Sequence, residues 1–340
     1  MSPRARLPED LLDRPLAEAT RRIALGELER AARARAALAA GGDPEALHDL
    51  RVALRRLRSQ LRAWRGELGP RVGGKLRRRL RDLADSTNPG RDAEVGAELA
   101  RRLAEEARST APASARRAAA EARAAAALAE RLEARRDQVY AELGRVGIAR
   151  FDALHERLRE RLGTWQVRLD AGAVDTTSLR AALAEEIRGH ARTLAEALAH
   201  AGSADGGDAA AHRARIEAKR LRYLIEPVAG ELEAAREPLA ALRALQDLLG
   251  DANDLAVLTA ELAADAAEAE RARLATAAGT PTPAVRGDGG RTGRSALARR
   301  LGARRAELRR RFDQDWTGDG ARAARLADAL DGLVAALAEG

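Results

Sequence analysis

The sequence predicts an all-α fold, and three observations support this. Alanine, leucine, arginine and glutamate dominate the 340 residues, and all four are strong helix formers. Runs of β-branched and aromatic residues, which strands favour, are nearly absent, and aromatic residues make up only 2% of the chain. Long segments repeat their apolar residues at the spacing of one helix face. We therefore expect helices throughout.

Apolar spacing and helix start and stop signals place the helices in order. In the first half they are predicted at about 14–40, 44–67, 71–87, 91–109, 113–143 and 147–167. In the second half they are predicted at about 178–201, 208–229, 233–250, 254–277, 295–315 and 320–338. Asp43 as N-cap and Pro44 at the first helical position mark one start. Asn88-Pro89-Gly90 and Gly250-Asp251 indicate breaks, and 202–208 and 279–293 are typical of flexible loops.

Part of the sequence occurs twice, at an offset of 164 residues. HDLRVALRRLR at 48–58 matches HRARIEAKRLR at 212–222, which pairs His48 with His212 and Arg51 with Arg215. Two later pairs of segments recur in the same order: LRDLADSTNPGRDAEV with LQDLLGDANDLAV, and LEARRDQ with LGARRAE. The chain is therefore predicted to be a duplicated helical unit.

The duplication also predicts the division of the chain. Residues 1–169 form the first half and 178–340 the second. The stretch at 170–177 is expected to be the linker between them.

The charge balance predicts a polyanionic partner. Lys and Arg number 60 against 52 Asp and Glu, a formal net charge of +8, and almost all of the cations are arginine. Guanidinium offers a planar fork of donors suited to phosphate oxygens. Nucleic acid, an acidic membrane and another phosphate polymer all fit such a surface.

Composition also excludes several classes of site. The chain has no cysteine, which rules out disulfides, thiol catalysis and thiolate metal sites. Nothing near Met1 resembles a signal peptide, and no apolar run is long enough to span a membrane. We therefore expect a cytoplasmic protein without a cofactor.

The repeated segments place a row of positive charge on each of two helices. The first basic stripe, about 80° wide on a helical wheel, comprises His48, Arg51, Arg55, Arg58 and Arg62. Leu50, Leu54, Leu57 and Leu61 occupy a separate stripe. The second basic stripe comprises His212, Arg215, Lys219 and Arg222, and Glu226 stands where Arg62 stands in the first copy.

A charged face is often only a solvated face, but these stripes favour anion binding. No acidic residue between 48 and 65 interrupts the first row at the i+3 or i+4 positions. A row of like charges lowers stability unless an anion neutralises it. We therefore expect the missing negative charge to come from a ligand.

The aromatic content narrows the choice of anion. Proteins that bind single strands stack bases on aromatic side chains, and this chain has three Trp, two Tyr and two Phe. Trp64, Phe151, Trp165, Phe312 and Trp316 stand at spacings typical of a core, which leaves Tyr223 as the aromatic residue beside the charges. A duplex could still bind through its phosphates. A featureless linear polyanion fits the stripes at least as well.

The chain resembles the CHAD domain, the conserved histidine α-helical domain, over about 10–338. The resemblance is carried by the HxxRVxxRRLR pattern, its second copy ending KRLRY, and the segment LQDLLGDxND. The resemblance implies two pseudo-symmetric antiparallel four-helix bundles with a basic central groove or channel. It also implies binding of inorganic polyphosphate, with some members gathering on polyphosphate granules. Some members carry a triphosphatase domain with an ExExK strand; this sequence has no such strand, so that activity is not expected.

The same resemblance marks the expected polyphosphate-binding residues. The motif positions are His48, Arg51, Arg55, Arg56, Arg58, His212, Arg215, Lys219, Arg220 and Arg222. Further basic candidates, from the stripe, the following helix and the repeated pairs, are Arg62, Lys75, Arg79, Arg135, Arg136, Arg304 and Arg305.

The histidines and carboxylates leave other chemistry open. His48 and His212 are expected to donate to phosphate or orient an arginine rather than bind metal, because a cation would be repelled by the arginines. His155, His190 and His200 are expected to be surface or packing residues. The carboxylates of Asp82, Asp92, Asp247 and Asp254 are expected to hold arginines by bidentate pairs, although they would also suit Mg²⁺.

The predicted function is therefore non-enzymatic binding of inorganic polyphosphate. Three alternatives remain: a nucleic-acid-binding or architectural protein, a Mg²⁺-dependent phosphohydrolase, and a scaffold whose stripes dock acidic proteins.

Overall fold

The computed structural model describes residues 10–40, 44–109, 115–163, 177–203, 207–278, 289–317 and 320–339. Within these ranges the regular elements are helices and no strand forms, which confirms the predicted all-α class. The α-helices are α1 (Leu16–Ala39), α2 (Pro44–Ala63), α3 (Arg65–Ser86), α4 (Asn88–Arg108), α5 (Ala115–Glu142), α6 (Ile148–Gly163), α7 (Leu179–Gly202), α8 (Gly207–Ile225), α9 (Arg236–Ala277), α10 (Gly289–Trp316) and α11 (Ala321–Glu339). In this part of the chain no helix is long and apolar enough to cross a membrane.

Most helix boundaries follow the sequence signals. α2 begins at Pro44, and Thr87 separates α3 from α4 beside the Asn88-Pro89-Gly90 signal. Asp43 lies outside the described residues, as do 164–176, which cover most of the predicted linker, and 279–288 of the predicted loop. The remaining loop residues 289–293 begin α10 instead.

The predicted break at Gly250-Asp251 is wrong, because α9 runs through it as one helix of 42 residues. A glycine inside a helix costs only about 1 kcal/mol relative to alanine. Here Leu245, Leu248 and Leu249 before it are buried, as is Leu255 after it. Packing of these leucines offsets the local cost, since most helical stability in proteins comes from tertiary contacts.

The helix is interrupted twice around residue 70. Trp64 leaves helical geometry (φ −96°, ψ 43°) and separates α2 from α3, and α3 then bends at Gly73 (φ 66°, ψ 159°). Only glycine adopts such a positive φ at little cost. The bend sets the direction of residues 74–86, which carry a cluster of arginines.

The chain packs into two compact units. Unit 1 draws on 1–87, 142–249 and 313–340, and unit 2 on 88–141 and 250–312. Each unit therefore combines segments from both halves of the sequence. The duplication and the linker at 170–177 stay predictions about how the two halves are related.

Unit 2 packs α4, α5, the later part of α9 and most of α10 around one apolar core. Its centre includes Ala100, Leu103, Leu128, Leu258 and Leu297, all at most 1% exposed. Two cross-helix ion pairs border this core: Arg131 Nη1 lies 2.8 Å from Asp265 Oδ1, and Arg135 Nη1 lies 2.6 Å from Glu261 Oε1.

Unit 1 brings the two basic stripes together. α1 packs on α2, α7 packs on α8, and α2 packs directly against α8. Backbone bonds join the starts of α1 and α7: Leu16 N donates to Thr177 O at 2.9 Å, and Leu179 N donates to Arg14 O at 3.0 Å. The two repeated helices therefore share an interface.

Two glycines of α10 should respond in opposite directions to alanine. A Cβ at Gly293 would lie 2.2 Å from Ala120 O, whereas a Cβ at Gly302 would meet nothing within 4 Å. We expect Gly293→Ala to lower the free energy of unfolding by about 1–3 kcal/mol through overpacking. Gly302→Ala should raise it by about 0.5–1 kcal/mol through helix propensity. Urea denaturation measures both, and equal effects would contradict the close contact between α10 and α5.

Candidate anion-binding site

The apolar stripe of α2 is buried and its basic stripe faces outward, as the helical wheel predicts. Leu54 and Leu57 are at most 1% exposed. Arg51, Arg55 and Arg58 are half-buried beside them, while His48 and Arg62 at the two ends are exposed. The second stripe on α8 follows the same pattern, with His212 exposed and Arg215, Lys219, Arg220 and Arg222 half-buried.

A buried polar link fixes α2 against α8. The Gln60 side-chain amide donates to Tyr223 O at 2.6 Å, and Trp64 Nε1 donates to Gln60 Oε1 at 3.0 Å. The Tyr223 ring is only 4% exposed. It lies between two guanidinium groups, 5.8 Å from that of Arg55 and 5.1 Å from that of Arg222, which are cation–π distances. Tyr223 therefore holds one arginine from each stripe.

Glu226 provides a second link between the stripes. This carboxylate is only 6% exposed. Its Oε2 accepts from Arg56 Nη2 at 2.9 Å, and its Oε1 lies 3.3 Å from Arg222 Nε. The residue that departs from the repeat, acidic where the first copy has Arg62, thus neutralises arginines of both helices.

The expectation that the basic stripes lack neutralising acids is wrong for several arginines. Besides the two that Glu226 contacts, Arg58 Nη1 donates to Asp85 Oδ1 of α3 at 2.6 Å. Arg220 Nη1 donates to Glu217 Oε1 at 2.5 Å. The partners of Arg56 and Arg58 come from distant parts of the sequence, so the spacing along α2 could not show them. The pairs Arg220–Glu217 and Arg222–Glu226 are instead local, at spacings of three and four residues.

A cluster of arginines remains around one cavity in unit 1. This arginine cavity, of about 370 Å³, lies between α2 and α3 and is lined by Arg58, Leu61, Arg62, Arg65, Gly74, Arg77, Arg78, Leu80 and Arg81. Arg58 pairs with Asp85, and Arg81 pairs with the adjacent Asp82. Across the described ranges, no carboxylate lies within ion-pair distance of the other four arginines. Arg77 Nη1 is buried without a hydrogen-bond partner in the same ranges.

Arg62 shows the electrostatic character of this site. Surrounding protein lowers the pKa of its guanidinium below the ordinary value by displacing water. The nearby positive charges of Arg220 and Arg58 lower this pKa further, and Glu217 opposes them. A bound anion would offset this repulsion, and its negative charge would compensate for the water that the guanidinium has lost.

The sequence missed much of this cavity. Lys75 and Arg79 were the candidates on α3, but both are exposed and neither lines the cavity. Arg65, Arg77, Arg78 and Arg81 line it instead. The run KLRRRLRD signalled a basic helix, but the bend at Gly73 decides which of its faces meets α2, and that bend could not be read from a straight helical wheel.

The candidate residues of unit 2 are exposed or half-buried and mostly paired. Arg135 pairs with Glu261, Arg136 with Asp137, and Arg304 with Glu106. The hydrogen bond to Asp137 raises the pKa of Arg136. Arg305 is exposed. Their part in anion binding stays a prediction.

Two of the histidines expected to be surface or packing residues make defined contacts. His155 packs against Phe151 at a ring distance of 5.6 Å, which confirms a packing role. His190 is half-buried and paired with carboxylates: its Nδ1 lies 2.9 Å from Glu217 Oε2, and its Nε2 lies 3.7 Å from Glu186 Oε2. It lines a second cavity, of about 260 Å³, between α2, α7 and α8. We call this the His190 cavity.

Among the aspartates expected to hold arginines, Asp82 contacts one, the adjacent Arg81. Asp82 contacts Arg81 through one oxygen, at 3.2 and 3.3 Å from two guanidinium nitrogens, rather than through the predicted bidentate pair. Asp247 is exposed, and Asn253 Nδ2 donates to Asp254 Oδ1 at 3.4 Å. In the part of the chain that the structure describes, no three His, Cys, Asp or Glu side chains are grouped to hold a metal ion.

These features define an all-α protein with arginines gathered where two repeated helices meet. Residues 22–263 match the CHAD domain family, and the chain belongs to that family. Two solved structures have similar folds. The CHAD domain from the plant Ricinus communis has a TM-score of 0.57 and 24% identity, with 87% of this chain and 92% of that one covered. PptA from Streptomyces chartreusis has a TM-score of 0.56 and 19% identity, with 93% and 99% covered. A search of curated proteins found no match.

The buried carboxylate of Glu226 should contribute measurably to stability. In Glu226→Gln the guanidinium groups of Arg56 and Arg222 lose their charged partner while still half-buried. We expect the free energy of unfolding to fall by about 1–3 kcal/mol. Thermal or urea denaturation measures it. Glu233→Gln is the matched control, because Glu233 pairs with Arg236 at 78% and 80% exposure and should change stability by less than about 0.5 kcal/mol. A Glu226 variant as stable as this control would rule out the link.

Proposed function

We propose that this protein binds inorganic polyphosphate without hydrolysing it, at the arginine cavity and the adjoining basic stripes of α2 and α8. The observation that carries the proposal is the lining of one cavity by six arginines. Two of them pair with carboxylates, and the other four have no carboxylate partner among the described residues. Charge-assisted bonds from guanidinium to phosphate oxygens are among the strongest hydrogen bonds in proteins. The surplus of positive charge calls for a ligand with several negative groups close together.

The paired arginines can still take part in binding. A guanidinium has five N–H donors, and the bond between Arg58 and Asp85 uses one of them. The remaining donors are available to a phosphate. The carboxylates therefore set the positions of the arginines and reduce repulsion in the empty site without blocking it.

The same site is poorly suited to single-stranded nucleic acid. Such strands are held largely by stacking of bases on exposed aromatic rings. Among the described residues that line the arginine cavity none is aromatic, and Tyr223 and Trp64 are 4% and 5% exposed. A polyphosphate chain offers only phosphate oxygens and needs no stacking surface.

Membership of the CHAD domain family supports the same ligand, since the sequence resemblance implies polyphosphate binding. Attachment to polyphosphate granules would follow from binding the polymer that forms them. It remains a prediction of that resemblance.

Paired charge removals on α3 test where the ligand binds. The double variant Arg77→Ala, Arg78→Ala removes two cavity arginines, and Lys75→Ala, Arg79→Ala removes two exposed cations of the same helix. We expect the first to weaken polyphosphate binding and to lower the slope of log K against log salt by about 1 per lost phosphate contact. The second should change both much less. Fluorescence anisotropy with labelled polyphosphate at several salt concentrations measures this.

Equal losses in the two double variants would contradict a site confined to the cavity. They would favour the sequence-based expectation that Lys75 and Arg79 also bind polyphosphate.

Chain length and competition test the class of ligand. Long polyphosphate should bind far more tightly than short oligomers, because one chain can contact the cavity and both stripes in turn. Calorimetry with sized polyphosphates measures this, and equal affinities would oppose an extended site.

Duplex DNA that displaces polyphosphate at equal phosphate concentration would favour a nucleic-acid-binding protein. Phosphate release with Mg²⁺, abolished by Asp247→Ala, would favour a phosphohydrolase.

A further inference from the structure

The His190 cavity differs in chemistry from the arginine cavity beside it. One part of its wall is apolar or aromatic, from Ala63, Tyr223 and Leu224. Another part carries hydrogen-bonding groups, from Ser59, Gln60, Glu186 and His190. Cavities with an apolar wall and a few placed polar groups are typical of small-molecule sites. A volume of about 260 Å³ suits one small ring system better than a drug-sized ligand.

Besides the cations Arg62 and Arg220, this cavity has acceptors for a ligand that donates hydrogen bonds. The Gln60 amide is already occupied on both sides, by Tyr223 O and by Trp64 Nε1. Ser59 donates its hydroxyl hydrogen to Arg55 O at 2.9 Å, which leaves the oxygen to accept. Glu186 is half-buried, and an ionised carboxylate only accepts. N–H groups on a flat ring would satisfy these acceptors.

A polyphosphate chain matches only the part of this surface that Arg62 and Arg220 form. It has no apolar part to cover Leu224 and Ala63, and it has no N–H groups. Its oxygens would face the carboxylate of Glu186, and like charges at close range repel. The His190 cavity therefore calls for a different chemical group from the one that the arginine cavity binds.

Arg62 joins the two cavities, because its side chain lines both. Arg220 lines only the His190 cavity, and it is close enough to Arg62 to lower the pKa of that guanidinium. Arg62 therefore lies where the two cavities adjoin, and Arg220 lies near it. A ligand with a ring in one cavity and phosphates in the other would pass this point.

We propose that the site also binds nucleoside oligophosphates, with the phosphates among the arginines and the base in the His190 cavity. A base with an exocyclic amino group fits, since Glu186 and the Ser59 oxygen accept from N–H donors. The inference rests on the proposed function in that both use the arginine cavity for phosphate. It adds a ligand class and a subsite selective for the base.

Comparing ATP with tripolyphosphate, both without Mg²⁺, tests the proposal. ATP has one fewer ionisable oxygen, so a site that responds to charge alone binds tripolyphosphate more tightly. We expect ATP to bind about tenfold more tightly instead, which one or two added hydrogen bonds and burial of the base can supply. Calorimetry on the full chain measures both dissociation constants and their ratio.

Two substitutions in the His190 cavity should abolish this preference. Ala63→Leu fills the cavity without changing charge, and Glu186→Gln removes the carboxylate acceptor. Glu185→Gln is the matched control, because it removes the same charge from the neighbouring exposed residue, which pairs with Arg188. We expect the dissociation constant of tripolyphosphate divided by that of ATP to fall about tenfold in both cavity variants. In the control this ratio should stay unchanged.

The outcomes separate this inference from the proposed function. If tripolyphosphate binds and ATP binds no more tightly, the His190 cavity is not a base subsite, and phosphate binding stands. The same conclusion follows if ATP binds more tightly than tripolyphosphate in both cavity variants as well. If neither ligand nor long polyphosphate binds, the arginine cavity does not bind phosphate and both proposals fail. Circular dichroism of the variants confirms that they are folded.

Discussion

Repulsion between guanidinium groups is the constraint on which this site depends. The contact between α2 and α8 brings two arginine-rich helices together, and each unpaired charge at that interface costs free energy. Buried Glu226 meets part of this cost by binding Arg56 and Arg222, one from each helix. Glu217 and Asp85 do the same for Arg220 and Arg58. These carboxylates allow the two stripes to approach before any ligand arrives.

The compensation is incomplete at one place. Arg62 stands where the second copy has Glu226, and so the first copy has a cation at the position where the second has a carboxylate. The pKa of Arg62 is lowered because it is desolvated and close to Arg58 and Arg220. The two matching positions therefore have different roles. Glu226 holds α2 and α8 together, whereas Arg62 leaves positive charge at the cavity.

Much of the fold could be predicted from sequence, but only part of the site. The helices follow from the helix propensity of the residues, and the burial of Leu54 and Leu57 follows from their spacing along α2. The continuity of α9 through Gly250 could not be predicted, because it depends on tertiary burial of the leucines on either side of that glycine. The pairs Arg58–Asp85 and Arg56–Glu226 join residues 27 and 170 positions apart, so no local pattern contains them. The cavity face of α3 could not be predicted because a helical wheel assumes a straight helix, and α3 bends at Gly73.

The separation of the two cavities also follows from the carboxylates. Glu217 binds Arg220 and His190 through its two oxygens, which fixes both beside Glu186 on the α7 side of Arg62. Positive charge is thereby concentrated between α2 and α3, while the space between α2, α7 and α8 has cations, acceptors and apolar side chains together. Under the proposed function, a ligand made only of phosphate would find its partners on the α3 side. Under the further inference, selectivity for a base would come from the α7 side, where Glu186 and apolar side chains lie beside the cations Arg62 and Arg220.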